Sequence, residues 1–252
     1  MNETHLRRGD LVVITGAAQG LGRAIARRLA AEQLRLALWD VEETGLQATA
    51  EICRDSAADI VCQRVDVSDD ESVREAAASL GVAYGAPFAL VNNAGIYPRA
   101  GLLDTTPELW RHVLDVNLFG TFACTRALAP AMIGAGRGAI VNVASGAALR
   151  GTPRGAAYAA SKAAIVSLTQ TAALELAPSV RVNCLLPGLT ETAQPLGDMS
   201  LEELRRKGRA LPLGRAGTPE DQAGVVAFLL GPDSAYMTGQ SIAVNGGAAM
   251  LP

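Results

Sequence analysis

Seven short apolar runs alternate along this chain with stretches of roughly ten to twenty residues in helical pattern, and no other feature constrains the fold as tightly. The runs are Leu11–Thr15, Leu34–Trp39, Ile60–Val65, Phe88–Val91, Ala139–Val143, Val180–Leu185 and Ser241–Val244. Rich in β-branched residues, they read as strands. Strands separated by helices are joined by right-handed crossovers into a parallel sheet, which the helices cover on both faces. The expectation is an α/β, single-domain, doubly wound Rossmann fold with a seven-stranded parallel sheet of order 3-2-1-4-5-6-7. No linker or internal repeat divides the 252 residues, so residues 1–252 are expected to share one core. The longest stretch without a strand, Gly188 to Gly217, holds a short helical pattern at Leu201–Arg206 between prolines and glycines, and reads as a substrate lid.

Composition removes several classes of function. A net charge of −3 with scattered arginines gives no basic stripe for nucleic acid. The N-terminus carries charge but no apolar signal core, and no later apolar run reaches spanning length without interruption, so a cytoplasmic protein with no membrane segment is expected. Cys53, Cys62, Cys124 and Cys184 are far apart and read as buried free thiols. With only His5 and His112 available, neither a metal site nor a histidine-based hydrolytic triad is expected.

The first strand runs directly into Gly16-Ala17-Ala18-Gln19-Gly20-Leu21-Gly22 and then into a helix. Glycines at a strand-to-helix turn let the backbone approach a pyrophosphate, whose charge meets the helix N-terminus. The second strand ends at Asp40, about twenty residues on, where a carboxylate can accept hydrogen bonds from both hydroxyls of an adenosine ribose. A 2′-phosphate would meet like charge there, and Gln19 supplies no cation to offset it, so NAD is favoured over NADP. Asp66, followed by Val67, can face the adenine amino group. Asn92-Asn93-Ala94-Gly95 follows the fourth strand, at the sheet edge where such folds bind ligands.

Tyr158 and Lys162 lie four residues apart in a helical stretch, so both project from one face. A free phenol titrates near ~10, and a fixed cation beside it favours the phenolate, the form that serves as a base near neutral pH. Lysine is scarce in this chain, with Lys207 the only other one. A composition that avoids lysine argues against Lys162 as surface filler.

Taken in order, Thr15-Gly16-x-x-x-Gly20-x-Gly22, Asp40, Asp66, Asn92-Asn93-Ala94-Gly95, Asn117, Ser145, Tyr158-x-x-x-Lys162 and Pro187-Gly188 resemble the short-chain dehydrogenase/reductase family, in its branch of about 250 residues. The resemblance implies that Tyr158 is the acid/base and that Lys162 lowers its pKa and binds the nicotinamide ribose. It implies that Ser145 bonds the substrate oxygen and that Asn117 holds a water relaying protons from Lys162. Val67 and Asn93 would flank the adenosine half. The loop from Pro187 and Gly188 through Thr190 to Thr192 would close over the carboxamide, with hydride leaving from the B face. A homotetramer with 222 symmetry is the family's common assembly. Two departures from the family pattern, Asn245 where an acid is frequent and Ala86-Pro87-Phe88 before the fourth strand, do not touch this chemistry.

Hydride removal from a secondary carbinol leaves a proton on oxygen, so the site needs a base, a hydroxyl-orienting donor and a flat acceptor within reach. Tyr97, Pro98, Arg99, Ala147, Leu149, Arg150, Arg154, Leu189 and the lid Gln194–Leu213 are expected near the substrate. The arginines could meet a carboxylate, although arginines at such places are usually solvated. The reading is an NAD-linked oxidoreductase acting on a sugar, cyclic alcohol, diol or hydroxylated ring. A ketoreductase of the 3-oxoacyl-carrier-protein type is the alternative. A dinucleotide sensor without catalysis is a third, which an intact Ser145, Tyr158 and Lys162 argues against.

Overall fold

The apolar runs become seven parallel strands: β1 (Leu11–Thr15), β2 (Arg35–Asp40), β3 (Asp59–Arg64), β4 (Ala89–Asn92), β5 (Gly138–Val143), β6 (Val180–Pro187) and β7 (Ser241–Val244). They form one sheet in the expected order β3-β2-β1-β4-β5-β6-β7. The computed structural model describes residues 6–192 and 199–250. The bounds of β1 and β7 are those expected from the sequence, and the others differ by one or two residues, as strand ends commonly do. The helices are α1 (Gly20–Ala30), α2 (Glu43–Cys53), α3 (Asp70–Tyr84), α4 (Pro107–Leu114), α5 (Gly120–Gly134), α6 (Ala156–Leu176), α7 (Leu201–Arg209) and α8 (Pro219–Leu230).

Continuous apolarity in the central strands follows from burial on both faces. Successive side chains alternate between two cores. Val12 and Ile14 of β1 join Leu36 and Leu38 of β2 under Ile25, Leu29, Val226 and Leu230 from α1 and α8. Leu11 and Val13 join Ala37 and Trp39 on the other face, beneath Leu80 of α3 and Leu128 and Met132 of α5. Trp39 is fully buried and still satisfies its indole, which donates to Gln63 Oε1 at 2.8 Å.

The helical run Pro107–Gly134 is interrupted. Residues Asp115–Phe119 form a π turn between α4 and α5, and the Gly120 amide reaches back to the Asp115 carbonyl. The wider turn carries Asn117, and just beyond it Gly120 comes so close to Val67 that a Cβ would lie 2.7 Å from Val67 Cγ2. The same segment, Pro107–Gly134, is the one helical run among the described residues with the length and hydropathy of a membrane span. It carries Arg111, Asp115 and Arg126, and seats Ala123, Cys124, Leu128 and Met132 in the core.

All four cysteines are free; Cys53, Cys124 and Cys184 are buried and Cys62 is half-buried. Burial pushes the Cys124 thiol up to about 12 and Cys184 up to about 11, so neither offers a thiolate at neutral pH.

Candidate active site

Along the C-terminal ends of β1, β2, β4, β5 and β6 runs one cleft of about 1060 Å³, the position where open parallel sheets bind ligands. Its glycine-rich wall exists because side chains are absent. A Cβ on Gly22 would fall 2.0 Å from the Gly16 carbonyl oxygen, and one on Gly16 would fall 2.8 Å from Ala94 Cα. Gly16 and Gly20 also hold φ of +64° and +53°, in the left-handed region. Asn93 secures this turn from across the sheet edge: its Nδ2 donates to the carbonyls of Thr15 and Gly16, both at 3.0 Å. The Asn93 and Ala94 amides both donate to Thr15 Oγ1 at 3.0 Å. Asn93 therefore braces the glycine turn while lining the cleft.

Asp40 closes β2 at the same end, with Oδ2 accepting from the Ala18 amide at 2.9 Å and Oδ1 from the Glu42 amide at 3.1 Å. These bonds fix the carboxylate's direction and leave lone pairs for further donors. Asp66 is held in the same way, its Oδ1 accepting from the amide and hydroxyl of Ser68 at 2.9 and 2.6 Å. Asp40, Glu42 and Asp66 line this end of the cleft together, and no lysine or arginine stands among its lining residues there.

At the other end, Ser145 follows β5 and caps a short 3-10 turn, Gly146–Ala148, its Oγ accepting from the Ala147 amide at 3.1 Å. Tyr158 and Lys162 occupy successive turns of α6, both buried. The Lys162 ammonium donates to the Val143 carbonyl at 2.8 Å and lies 5.7 Å from the centre of the Tyr158 ring. Burial lowers Lys162 to about 8. The expected lowering of the Tyr158 pKa by Lys162 is not what this arrangement produces. Burial pushes the phenol above its ordinary value, Ser145 pulls it back in part, and Tyr97 adds to the rise. At neutral pH Tyr158 is therefore a protonated acid, the form required to protonate a ketone.

Asn117 does not line the cleft but lies fully buried behind it. Its Oδ1 accepts from the Ile96 amide at 2.8 Å, and its Nδ2 donates to the Ile96 carbonyl and to Ser161 Oγ, both at 3.0 Å. The amide thus ties the loop after β4 to α6. A Cβ on Gly95 would lie 3.3 Å from both Asn117 Oδ1 and Lys162 Nζ, so both groups lie against Gly95.

Of the other residues expected to hold a dinucleotide, Gln19, Leu21, Val67, Ala94, Gly95, Pro187, Gly188, Thr190 and Thr192 all line the cleft. Gly22 acts from behind, through the turn it permits. Thr190 is buried and receives a bond from Gln222 Nε2 at 3.3 Å, which gives it an anchoring part as well. Thr192 stands over Gly20 at 3.7 Å from where a Cβ would be. On the substrate side Tyr97, Arg99, Ala147, Arg150 and Leu189 line the cleft, whereas Pro98, Leu149 and Arg154 do not. In the lid, Leu201–Arg209 is helical, and residues 194–198 of the expected segment lie outside the described residues. Sequence reasoning did not find the Val143 carbonyl as the partner of Lys162 or Ile96 as the partner of Asn117. Main-chain partners carry no residue-type signal.

A glycine turn between β1 and α1, an acid closing β2 and a buried tyrosine–lysine pair beside a serine, all along one cleft at the sheet's C-terminal edge, fit a dinucleotide-dependent oxidoreductase of the Rossmann type. A family model described as Enoyl-(Acyl carrier protein) reductase matches residues 16–249. The 3-oxoacyl-[acyl-carrier-protein] reductase FabG of Thermotoga maritima is 36% identical, over 95% of this chain and 97% of the relative. Among solved structures, a levodione reductase superimposes with a TM-score of 0.92 at 31% identity, covering 96% of this chain and 98% of that one. A 3-oxoacyl-[acyl-carrier protein] reductase from Brucella melitensis with bound NAD gives 0.88 at 35% identity, covering 98% and 95%. The chain belongs to the short-chain dehydrogenase/reductase family and is an oxidoreductase acting on CH–OH groups with a nicotinamide dinucleotide.

Proposed function

We propose that this protein interconverts a secondary alcohol and a ketone using NAD(H) in preference to NADP(H), with Tyr158 as the acid/base. The observation that carries the reading is the convergence of Ser145, Tyr158 and Lys162 at one end of a cleft whose other end is lined by Asp40, Glu42 and Asp66. The glycine turn can present its backbone to a pyrophosphate because it folds tightly, a fold that a Cβ on Gly16 or Gly22 would forbid by collision with Ala94 or with the Gly16 carbonyl. Asp40 fits a ribose with both hydroxyls free, and an added 2′-phosphate would meet the carboxylates of Asp40, Glu42 and Asp66, with no lysine or arginine among the described residues that line this end of the cleft.

The bound dinucleotide would supply the hydride donor or acceptor. Lys162 would hold the nicotinamide ribose through its ammonium, and Gly95, where a Cβ would come 3.3 Å from that group, leaves the space beside it open. In the reducing direction Tyr158 gives its phenolic proton to the oxygen that becomes the carbinol, while Ser145 donates a hydrogen bond to the same oxygen. In the oxidising direction the Tyr158 phenolate takes that proton back. Asn117, from the π turn, keeps α6 and the loop after β4 in register, which fixes the direction in which both side chains act.

An absorbance assay at the NADH band tests the proposal, with NAD and NADP run in parallel against sugars, cyclic alcohols, diols, hydroxylated rings and 3-oxoacyl thioesters. Turnover with the thioesters would favour the 3-oxoacyl reductase alternative, which the FabG relative supports. Asp40→Ala is expected to shift the kcat/KM ratio of NAD to NADP at least tenfold toward NADP, about 1.4 kcal/mol of lost discrimination. An unchanged ratio would show that the ribose is read by other residues.

The same reading places the enzyme in a reducing, cytoplasmic compartment, supported by four cysteines without a disulfide. It also includes a homotetramer. α5 and α6 leave Phe122 and Leu174 exposed, and α8 with the turn beyond it leaves Phe228 and Tyr236 exposed, two apolar faces of the kind that twofold packing covers. Size-exclusion chromatography with light scattering should give four copies; a monomer would remove this part of the proposal.

A further inference from the structure

The Tyr158 ring is not held by α6 alone. Tyr97, from the loop after β4, stacks on it with ring centres 4.1 Å apart and planes 18° apart, a close face-to-face contact. The Tyr97 hydroxyl lies 3.2 Å from Thr152 Oγ1, in the loop that leads into α6. The Tyr97 ring also fills the space above Gly155, where a Cβ would come 2.8 Å from Tyr97 Cε2 and 2.9 Å from its hydroxyl. The two loops are joined by backbone as well: the Ala100 amide donates to the Arg154 carbonyl at 3.2 Å, and Ala100 bridges Gly155. Arg154 holds φ of +58°, a left-handed conformation unusual for a residue with a side chain. Backbone in that region persists where surrounding contacts fix it, and it gathers near functional sites. Here it turns the chain so that Gly155, and not a larger residue, faces Tyr97.

We infer that Tyr97 is a positioning residue for Tyr158: its ring, seated on Gly155 and tethered to Thr152, sets the plane of the Tyr158 ring and so the direction in which the phenol meets the substrate oxygen. The inference rests on the proposed role of Tyr158. Stacking resists a tilt of the ring, which would carry the phenolic oxygen sideways, and it holds the ring plane, in which the O–H bond and its lone pairs are directed. Orientation of this kind matters steeply: a displacement of about 1 Å at the reacting atoms can cost about a hundredfold in rate. The stack also excludes water from one ring face, which agrees with the upward push on the phenol from burial and from Tyr97 itself. The groups facing the phenol are Ser145 after β5, Lys162 on α6 and Tyr97 after β4.

Tyr97→Phe, Tyr97→Leu, Gly155→Ala and Tyr158→Phe should be compared in the full-length protein with NADH and the best ketone from the substrate panel. Tyr97→Leu is expected to lower kcat about 30- to 100-fold, with the NADH Kd within about threefold of wild type. Tyr97→Phe keeps the stack and should retain kcat within about threefold. Gly155→Ala keeps Tyr97 but pushes a methyl into its ring, and should lose about tenfold. Without cofactor, the phenolate absorbance difference between each variant and its Tyr158→Phe partner reads the Tyr158 titration directly. Its midpoint should move down in Tyr97→Leu, where water reaches the ring, and move less in Tyr97→Phe. A Tyr97→Leu enzyme with unchanged kcat and midpoint overturns the inference, as does a Tyr97→Phe enzyme as impaired as Tyr97→Leu. Should Tyr97→Leu not fold, Gly155→Ala and Tyr97→Phe decide by the same criteria. An active Tyr158→Phe enzyme would instead overturn the acid/base reading itself.

Discussion

Tyr158→Phe is expected to lower kcat for ketone reduction about a thousandfold or more while leaving the NADH Kd within about threefold. General acid catalysis by a positioned group contributes about a hundred- to ten-thousandfold, and the neighbouring donors are engaged elsewhere: the Tyr97 hydroxyl lies 3.2 Å from Thr152 Oγ1 and the Lys162 ammonium donates to the Val143 carbonyl. Ser145 shares the site, but an aliphatic hydroxyl is too weak an acid to replace a phenol. Affinity should persist because removing the phenolic oxygen leaves the glycine turn, the Asp40 carboxylate and the Lys162 ammonium with the bonds that hold them. The pH dependence of the wild type follows from the directions of the shifts. With the phenol raised and Lys162 lowered to about 8, reduction should run well at neutral pH and decline as pH passes about 8, where the ammonium is lost. Oxidation should be slow at neutral pH and rise as the phenolate forms. A Tyr158→Phe variant with near-normal turnover would eliminate the phenol as the proton donor.

Lys162→Met should move activity and stability in opposite directions. Burial depresses the folded-state pKa from 10.5 to about 8. Below about pH 8 the ammonium is charged in both states, and folding carries the full cost of burying it. As pH rises from about 8 toward 10.5 the folded state loses its proton first, the unfolded chain binds more protons, and stability rises with pH. Methionine has no such cost at any pH. At pH 7 the gross gain is roughly 3 kcal/mol. Losing the charged hydrogen bond to the Val143 carbonyl, worth about 1.5–3 kcal/mol, offsets most of it, leaving a net gain of about 1 kcal/mol or less. Denaturant melts at pH 7 and pH 10 provide the check: the variant should be more stable at pH 7, and its advantage should shrink at pH 10. Turnover should fall at least about a hundredfold, the order seen when one preorganised electrostatic group is removed. Reduced stability at pH 7 would mean that the ammonium's hydrogen bond outweighs its burial.

The contrast between these two residues shows where sequence reading succeeds. Spacing alone put Tyr158 and Lys162 on one helical face, because helical geometry depends on local chain position. The seven strands were legible for a similar reason, since burial on both faces leaves uninterrupted apolar runs. Asp40 and the glycines were legible by their distance from a strand end. The direction of the Tyr158 pKa was not, because it depends on how many apolar neighbours the fold gathers around the ring. The π turn at Asp115–Phe119 escaped because its residues suit an ordinary helix and the cause lies elsewhere, in partners of Asn117 at Ile96 and Ser161. Arg154 gave no signal either, since nothing in an arginine announces a left-handed backbone.

The alternation of strand side chains between two cores bears on how this protein tolerates insertions and deletions. In a sheet with one wet face, losing a residue from a strand turns apolar groups outward and the chain aggregates. Here both faces are dry, so a one-residue deletion within β1 would exchange Val12 and Ile14 for Leu11 and Val13 without exposing any of them. The visible damage would lie downstream, where Thr15 and Gly16 would leave the Asn93 brace and the glycine turn would lose its register. Length errors in the central strands would therefore surface as well-expressed proteins that have lost cofactor binding.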